Sequence, residues 1–146
     1  ERVSDAVRTN LICQDEIDIE QVIKNPIVIK NTNKYENISE KILQQLILED
    51  IPAFLKELGV GFSFIGNEYK IKIGDRYNYI DLLLYNIKFK CYVVIELKVT
   101  ELKKEHIGQI EAYMNYIDKN MKTIDEDKTV GIIIVKERKQ ICYGVL

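Results

Sequence analysis

The sequence predicts an α/β fold in which helices flank a central mixed β-sheet. Apolar residues recur with a helical period over residues 39–58 and again over residues 105–121. Short runs rich in Ile, Val, Tyr and Phe lie between these segments and after the second one, which is typical of strands. The chain has 146 residues, 47% hydrophobic and 30% charged, which is enough for one domain with a buried core.

The N-terminal residues 1–36 show no sustained periodicity. They contain Pro26 and several asparagines, so we predict an arm or linker with one short helix over 18–24. The domain itself is predicted to span residues 37–146. Because the chain starts at Glu1 rather than Met, we expect it to be part of a longer protein whose preceding segment targets it to DNA.

The first helical segment starts after Ser39, a favourable N-cap residue, and ends at Gly59. Pro52 is expected to kink or divide it. Strands are predicted at residues 62–65, 69–73, 79–85 and 89–99, and after the second helix at 130–135 and 140–145. The intervening turns fall at Gly74 and near residues 86–88.

Charged residues interrupt two of these strands. Asp81 lies inside an apolar strand, and Glu96 and Lys98 share one face of the next strand with Tyr92 and Val94. The opposite face of that strand is entirely apolar, so both faces are predicted to be covered. A buried carboxylate normally shifts its pKa, pairs with a cation or binds a metal. These charges therefore indicate a site.

The register of the hairpin decides whether the two carboxylates meet. If Tyr85 faces Lys90, then Asp81 faces Val94, and Glu96 is the diagonal neighbour of Asp81 on the same face. We therefore expect the carboxylates of Asp81 and Glu96 to converge within reach of one metal ion.

Oxygen ligands define the expected chemistry. Asp81, Glu96 and the backbone carbonyl of Leu97 are the predicted ligands, and a set made of oxygens suits Mg²⁺ or Mn²⁺ rather than zinc. Such an ion polarises a phosphodiester and lowers the pKa of bound water, and the neighbouring Lys98 positions that water or offsets developing charge. The predicted reaction is hydrolysis of a phosphate ester.

An Asp in one strand followed by Glu-x-Lys in the next resembles the PD-(D/E)xK nuclease superfamily. More of the chain is similar to the YhcG-like nuclease domain, over roughly residues 20–146. The segments that carry this likeness are residues 54–59, 61–66, 79–83 and 92–98. The resemblance implies a restriction-endonuclease-like core and a metal-dependent deoxyribonuclease acting in DNA restriction, repair or mobile-element defence.

The resemblance also implies roles for two helices. Gln109 and Tyr113 resemble the Gln-x-x-x-Tyr element of RecB-like members, in which the Gln assists catalysis and the Tyr supports it. The first helix of the family usually brings an acidic residue to the metal, and the aligned position here is Gln44. Either Glu40 or Glu49 substitutes for that acid, or the site holds metal less tightly.

The distribution of charge is uneven although the net charge is only −2. Residues 68–104 contain eight Lys or Arg against five Asp or Glu. This local excess of positive charge could neutralise DNA phosphates, and a solvated surface of mixed charge is the alternative explanation. The predicted nucleic-acid-binding residues are Lys70, Lys72, Arg76, Lys103 and Lys104.

Other residues constrain the setting of the protein. Cys13, Cys91 and Cys142 are widely spaced, which favours neither a disulfide framework nor a zinc site and fits the reducing cytoplasm. No apolar run is long enough to span a membrane. His106, the only histidine, is either a surface residue in the first turn of a helix or a general base.

Three classes of function remain open at this stage. The first is the nuclease, which as a homodimer would cut both strands. The second is a nuclease-fold module that is catalytically weak or inactive because of Gln44 and binds nucleic acid or a protein partner. The third is a structural domain in which Asp81, Glu96 and Lys98 form a buried ion-pair triad, so that loss of Asp81 is strongly destabilising.

Overall fold

The computed structural model describes residues 4–12, 23–31 and 33–136. This part of the chain contains six strands and three helices. Their bounds are β1 Ser4–Ile12, β2 Ile27–Lys30, α1 Glu40–Glu49, α2 Ile51–Leu58, β3 Phe62–Ile73, β4 Arg76–Asn86, β5 Cys91–Lys98, α3 Lys104–Asn120 and β6 Val130–Lys136.

All six strands form one sheet in the order β2-β1-β6-β5-β4-β3. Only β5 and β6 pair in parallel, and the helix α3 connects them. The other neighbouring strands are antiparallel. The sheet is therefore mixed and carries helices on its faces, which confirms the predicted α/β, restriction-endonuclease-like architecture.

Successive side chains of the central strands point to opposite faces of the sheet, so these strands contribute to two hydrophobic layers. Ile132 and Ile134 of β6 pack into the layer that holds the buried side chains of α1 and α2, whereas Ile133 packs into the layer of α3. On β5, Val93 and Ile95 face the first layer and Val94 the second. Both faces of the central sheet are therefore covered, as predicted from the apolar runs.

Two short helices replace the single predicted helical segment. The Ser39 side chain accepts a hydrogen bond from the Ile42 N–H and caps α1. Asp50 ends α1 and caps α2 by accepting from the Ala53 N–H, and Pro52 lies in the first turn of α2. A proline fits there because the first turn does not need its N–H. The expected division at Pro52 is confirmed.

The packing of α3 on β6 depends on Gly131. A Cβ at this position would lie 2.7 Å from Met114 Sδ and 3.1 Å from Ile110 Cδ1. We therefore expect Gly131→Val to destabilise the fold by about 1–3 kcal/mol through overpacking. Gly108→Ala is the matched control, because a Cβ there meets nothing within 4 Å in an exposed part of α3. Chemical denaturation should show that this control is stabilising by about 0.5–1 kcal/mol, and an unchanged Gly131→Val protein would contradict the proposed packing.

The two predicted strands over residues 62–65 and 69–73 are one strand, β3. The register of β3 against β4 shifts between Phe64 and Gly66, which marks an irregularity of one residue. Pairing continues on both sides of this irregularity, so the strand bends instead of ending.

The hairpin between β4 and β5 has a different register from the predicted one. Tyr85 pairs with Tyr92 rather than with Lys90, and Leu83 pairs with Val94. The reason lies in Asn86, which pairs with Cys91 and accepts a hydrogen bond from the Phe89 N–H with its side chain, so that it belongs to the strand and closes the loop. The shift is two residues, so each side chain keeps its face.

The segment predicted as an arm instead contributes two strands. β1 pairs with β6, and β2 pairs with β1. Buried Thr9 interrupts the apolar pattern of β1, yet its N–H and hydroxyl both donate hydrogen bonds, to the Asn25 side chain and the Lys24 carbonyl. A buried polar residue is tolerated when its hydrogen bonds are satisfied. It nevertheless breaks the alternation of apolar and polar residues from which a strand is predicted.

Several predictions fall on residues outside the described ranges. These are most of the helix over 18–24, the strand over 140–145, Cys13 and Cys142. Cys91 is described, and its side chain is buried. Within the described ranges, no helix has the length and apolar character needed to cross a membrane.

Candidate active site

Asp81 and Glu96 lie where β4 and β5 separate. The last regular pair between these strands is Leu82 with Ile95, so Asp81 and Glu96 are the next residues to face each other. Their carboxylates replace the backbone hydrogen bonds of the ladder. Glu96 Oε2 accepts from the Asp81 N–H at 2.9 Å, and Asp81 Oδ2 accepts from the Leu97 N–H at 2.8 Å.

The two carboxyl groups disfavour each other's ionisation. Glu96 is only 4% exposed, and burial together with the negative charge of Asp81 raises its pKa to about 8. Burial is also the largest cause of the raised pKa of Asp81, although the hydrogen bond from Leu97 opposes it. Such a pair gains stability from a proton or from a cation.

Lys98 is half-buried on the same strand as Glu96. Its positive charge lowers the pKa of both Asp81 and Glu96, so it lies within electrostatic range of the pair. Among the described residues, however, Lys98 forms no ion pair with either carboxylate. The closed ion-pair triad of the structural hypothesis is therefore not formed, and the charge of Lys98 remains available to a ligand.

Gln44 reaches the site from α1, and its partner is an acid that the sequence analysis missed. The Gln44 Nε2 donates to the backbone carbonyl of Asp81 at 3.0 Å and to Glu68 Oε2 at 3.1 Å. Glu68 is level with Asp81, because its neighbours Asn67 and Tyr69 pair with Leu82 and Ile80.

The backbone of Glu68 explains why sequence alone did not find it. Its φ is 47°, a left-handed conformation that residues other than glycine rarely adopt. The negative charge of Glu68 contributes to the raised pKa of both Asp81 and Glu96. The one available sequence signal was Gly66, because an isolated glycine inside a strand pattern indicates a bulge.

The two acids considered as substitutes for Gln44 differ in position. Glu40 accepts a hydrogen bond from the Val99 N–H at 3.4 Å, and its charge raises the pKa of Asp81. Glu49 instead contacts Asn33 and lines a cavity of about 310 Å³ between β2 and the helices α1 and α2. Of these two alternatives, the structure favours Glu40, because Glu49 lies at the far end of α1.

On α3, Tyr113 lies within electrostatic range of the carboxylate pair, and Gln109 contacts Tyr113. Gln109 Nε2 donates to the Tyr113 hydroxyl at 3.0 Å, which places the pair on one face of the helix as the spacing predicted. Tyr113 is buried, and burial followed by the charge of Glu96 raises its pKa. His106 accepts a hydrogen bond from the Lys103 N–H through Nδ1 and so caps α3, which favours the structural alternative for this residue.

The predicted nucleic-acid-binding residues fall into two groups. Lys103 and Lys104 are exposed at the start of α3. The hairpin of β3 and β4 carries the other three exposed residues, Lys70, Lys72 and Arg76. They lie between the level of Asp81 and the turn of the hairpin.

The donor set at the carboxylate pair fits a divalent cation of the Mg²⁺ type. No group of three or more His, Cys, Asp or Glu residues in the described ranges is arranged to hold a metal ion, so the pair of Asp81 and Glu96 stands as two acidic ligands. Two carboxylates suffice for Mg²⁺, which is usually bound by one or two of them together with waters and substrate phosphates. The hydrogen bonds described for each carboxylate engage one oxygen only.

Comparison with known proteins identifies the family. Over 119 residues, the chain is 26% identical to the Escherichia coli (strain K12) protein named "Putative nuclease YhcG". These residues cover 82% of this chain and 32% of that protein. The chain thus spans about a third of the length of this relative. No solved structure matches the chain significantly. The family model described as the YhcG PDDEXK nuclease domain matches residues 20–144, and the chain therefore belongs to this nuclease family.

Proposed function

We propose that the chain is a divalent-metal-dependent deoxyribonuclease that hydrolyses phosphodiester bonds with Mg²⁺ or Mn²⁺. The observation that carries the proposal is the pair of half-buried Asp81 and buried Glu96, which lie side by side where two strands separate. Both carboxyl groups have raised pKa values. A binding site for a cation explains why two like charges are held together at this position.

Each residue of the site has a role in this proposal. Asp81 and Glu96 hold the ion, with the carbonyl of Leu97 as a further oxygen ligand. The ion supplies Lewis-acid stabilisation of the phosphodiester charge when it is bound. Lys98 orients the attacking water and stabilises the negative charge that develops on the phosphate. Gln109 assists from α3, where its hydrogen bond to Tyr113 fixes its orientation.

The alternative function is a nuclease-fold module that binds nucleic acid or a protein without cutting. Gln44 favours this alternative, because a neutral amide occupies the position at which the resemblance implies an acid. Glu68 argues against it, because its carboxylate contacts the Gln44 amide. The negative charge that is missing on α1 is therefore present on β3. A measured affinity for divalent ions separates the two functions.

The rest of the protein belongs to the proposal as well. Because the match covers only 32% of the relative, we propose that further segments target the domain to DNA. A homodimer would place two sites on one duplex, and the cytoplasm would supply both DNA and Mg²⁺. The exposed lysines at the start of α3 would contact phosphates.

Cleavage of supercoiled plasmid, linear duplex and branched DNA in Mg²⁺ or Mn²⁺ tests the proposal. We expect Asp81→Ala and Lys98→Ala each to lower the rate by roughly a hundredfold to a thousandfold, and a chelator to stop the reaction. Equal cutting by the wild type and both variants would contradict the proposal and point to a contaminating nuclease. No cutting by any of the three proteins would favour the binding module.

A further inference from the structure

Part of the hairpin of β3 and β4 extends past the last residue pair between β4 and β5. Pairing between β4 and β5 starts at Leu82, whereas β3 and β4 remain paired from Tyr69 with Ile80 to Ile73 with Arg76. Residues 69–80 thus form a two-stranded ribbon, which begins next to Asp81. At about 3.3 Å per residue, Tyr79 lies about 7 Å along the strand from Asp81.

One face of the ribbon is fixed to α3. Ile71 and Ile80 are almost fully buried in the same hydrophobic layer as Ile110 and Met114. The Tyr69 hydroxyl also donates to the Met121 sulfur at 3.8 Å. This packing holds the ribbon in a defined position relative to the carboxylate pair.

The other face of the ribbon presents two tyrosine rings and two lysines to solvent. Tyr77 is 57% exposed and Tyr79 is 48% exposed, and these are the only aromatic side chains among the exposed large hydrophobic residues of the described ranges. Lys72 is directly opposite Tyr77, and Lys70 is directly opposite Tyr79. Lys70 Nζ lies 4.2 Å from the centroid of the Tyr77 ring.

This combination of side chains matches a nucleotide better than it matches a protein surface. Lysine is depleted in the cores of protein interfaces, whereas exposed aromatic rings beside cations are the usual platform for single-stranded nucleic acid. Lys70 and Lys72 form no ion pair with a described carboxylate. Both ammonium groups lie over the Tyr77 ring, 4.2 Å and 5.6 Å from its centroid, so their charge stays on the exposed face for phosphates.

A duplex cannot use the rings in the same way as a single strand. Its bases are stacked on one another, so a ring can stack only on a base that has left the helix. We infer that the exposed face of the ribbon binds unpaired nucleotides of DNA beside the cleavage site, with Tyr77 and Tyr79 as stacking platforms. This inference rests on the proposed function and assigns it a substrate class, DNA with a single-stranded segment at the scissile position.

Binding without cleavage tests the inference. Fluorescence anisotropy of labelled single-stranded and duplex oligonucleotides of equal length is measured in a chelator for the wild type and for Tyr77→Ala/Tyr79→Ala. We expect the double variant to lose about tenfold or more in affinity for the single strand and less than about threefold for the duplex. Tyr77→Phe/Tyr79→Phe keeps both rings and should retain the single-strand affinity. Ile124→Ala, which removes an exposed apolar side chain outside the ribbon, is the control for loss of exposed apolar surface.

The outcomes are separable from those of the proposed function, because no metal or cleavage is involved. Retained single-strand binding by a protein that never cuts DNA would leave the ribbon assignment standing and refute only the nuclease. Equal losses on single strand and duplex, no loss in the alanine variant, or the same loss in the phenylalanine variant would overturn the assignment. Absence of wild-type binding to any oligonucleotide would overturn it as well.

Discussion

Glu96→Gln is expected to lower metal-dependent cleavage by on the order of a thousandfold and, in the same protein, to stabilise the metal-free fold above neutral pH. The cleavage is lost because the variant has one carboxylate instead of two at the proposed metal site. The fold is retained because the Gln side chain still has an oxygen that can accept the hydrogen bond from the Asp81 N–H.

The sign of the stability change follows from the raised pKa. The ordinary pKa of Glu96 is 4.5 and its pKa in the fold is about 8, so between these values the folded protein binds more protons than the unfolded chain. The stability of the wild type therefore falls as the pH rises through this window. The Gln variant does not titrate at this position, so its advantage is small near pH 5 and on the order of a few kcal/mol near pH 8.

Chemical denaturation at several pH values in a chelator measures this difference. Glu101→Gln, which removes an exposed carboxylate near the end of β5, is the matched control for the loss of one acidic side chain. A Glu96→Gln protein that is less stable than the wild type at pH 8 would show that the Glu96 charge is held by a favourable partner, as in the ion-pair hypothesis.

The second large effect is expected from exchanging an acid and an amide between α1 and β3. Glu68→Gln should weaken the binding of Mn²⁺ about tenfold, because it removes a negative charge that acts on both Asp81 and Glu96. Gln44→Glu combined with Glu68→Gln should restore most of the affinity, since the hydrogen-bonded pair keeps the same total charge. The position of the acid would then matter less than its presence.

Isothermal titration calorimetry with Mn²⁺ is the appropriate measurement, because it does not depend on catalysis. Asp127→Asn changes the net charge equally at an exposed position outside the site and serves as the control. If the double variant binds Mn²⁺ as weakly as Glu68→Gln alone, the negative charge is required specifically on β3. An unchanged affinity in Glu68→Gln would exclude Glu68 from the site.

Local patterns predicted the helices, most strands and the face that Asp81, Glu96 and Lys98 share, because these properties depend on periods of two and 3.6 residues. The pairing of Asp81 with Glu96 was not predicted correctly, since a side chain of the loop, Asn86, sets the register. The predicted face of each side chain was still correct, because the register shift was an even number of residues. A sequence pattern therefore predicts the face of the sheet on which a side chain lies more reliably than it predicts the residue of the neighbouring strand with which it pairs.

Glu68 and the strands β1 and β2 required the structure itself. Glu68 depends on a single left-handed residue, and no periodic pattern reports a local backbone angle. β2 has four residues and β1 contains a buried threonine, so neither gives a strong signal of its own. Both strands are defined by pairing with distant parts of the chain, which local sequence does not encode.

The hydrogen bonds that replace the ladder between β4 and β5 make two backbone amides natural reporters of the site. The N–H groups of Asp81 and Leu97 donate to the very carboxylates that are proposed to bind the ion. Any change in the charge of those carboxylates must alter the polarisation of these two amides. The NMR resonances of these two amides should therefore shift when the carboxylates are protonated or bind a cation. The two amides thus report on the reaction centre without an added label.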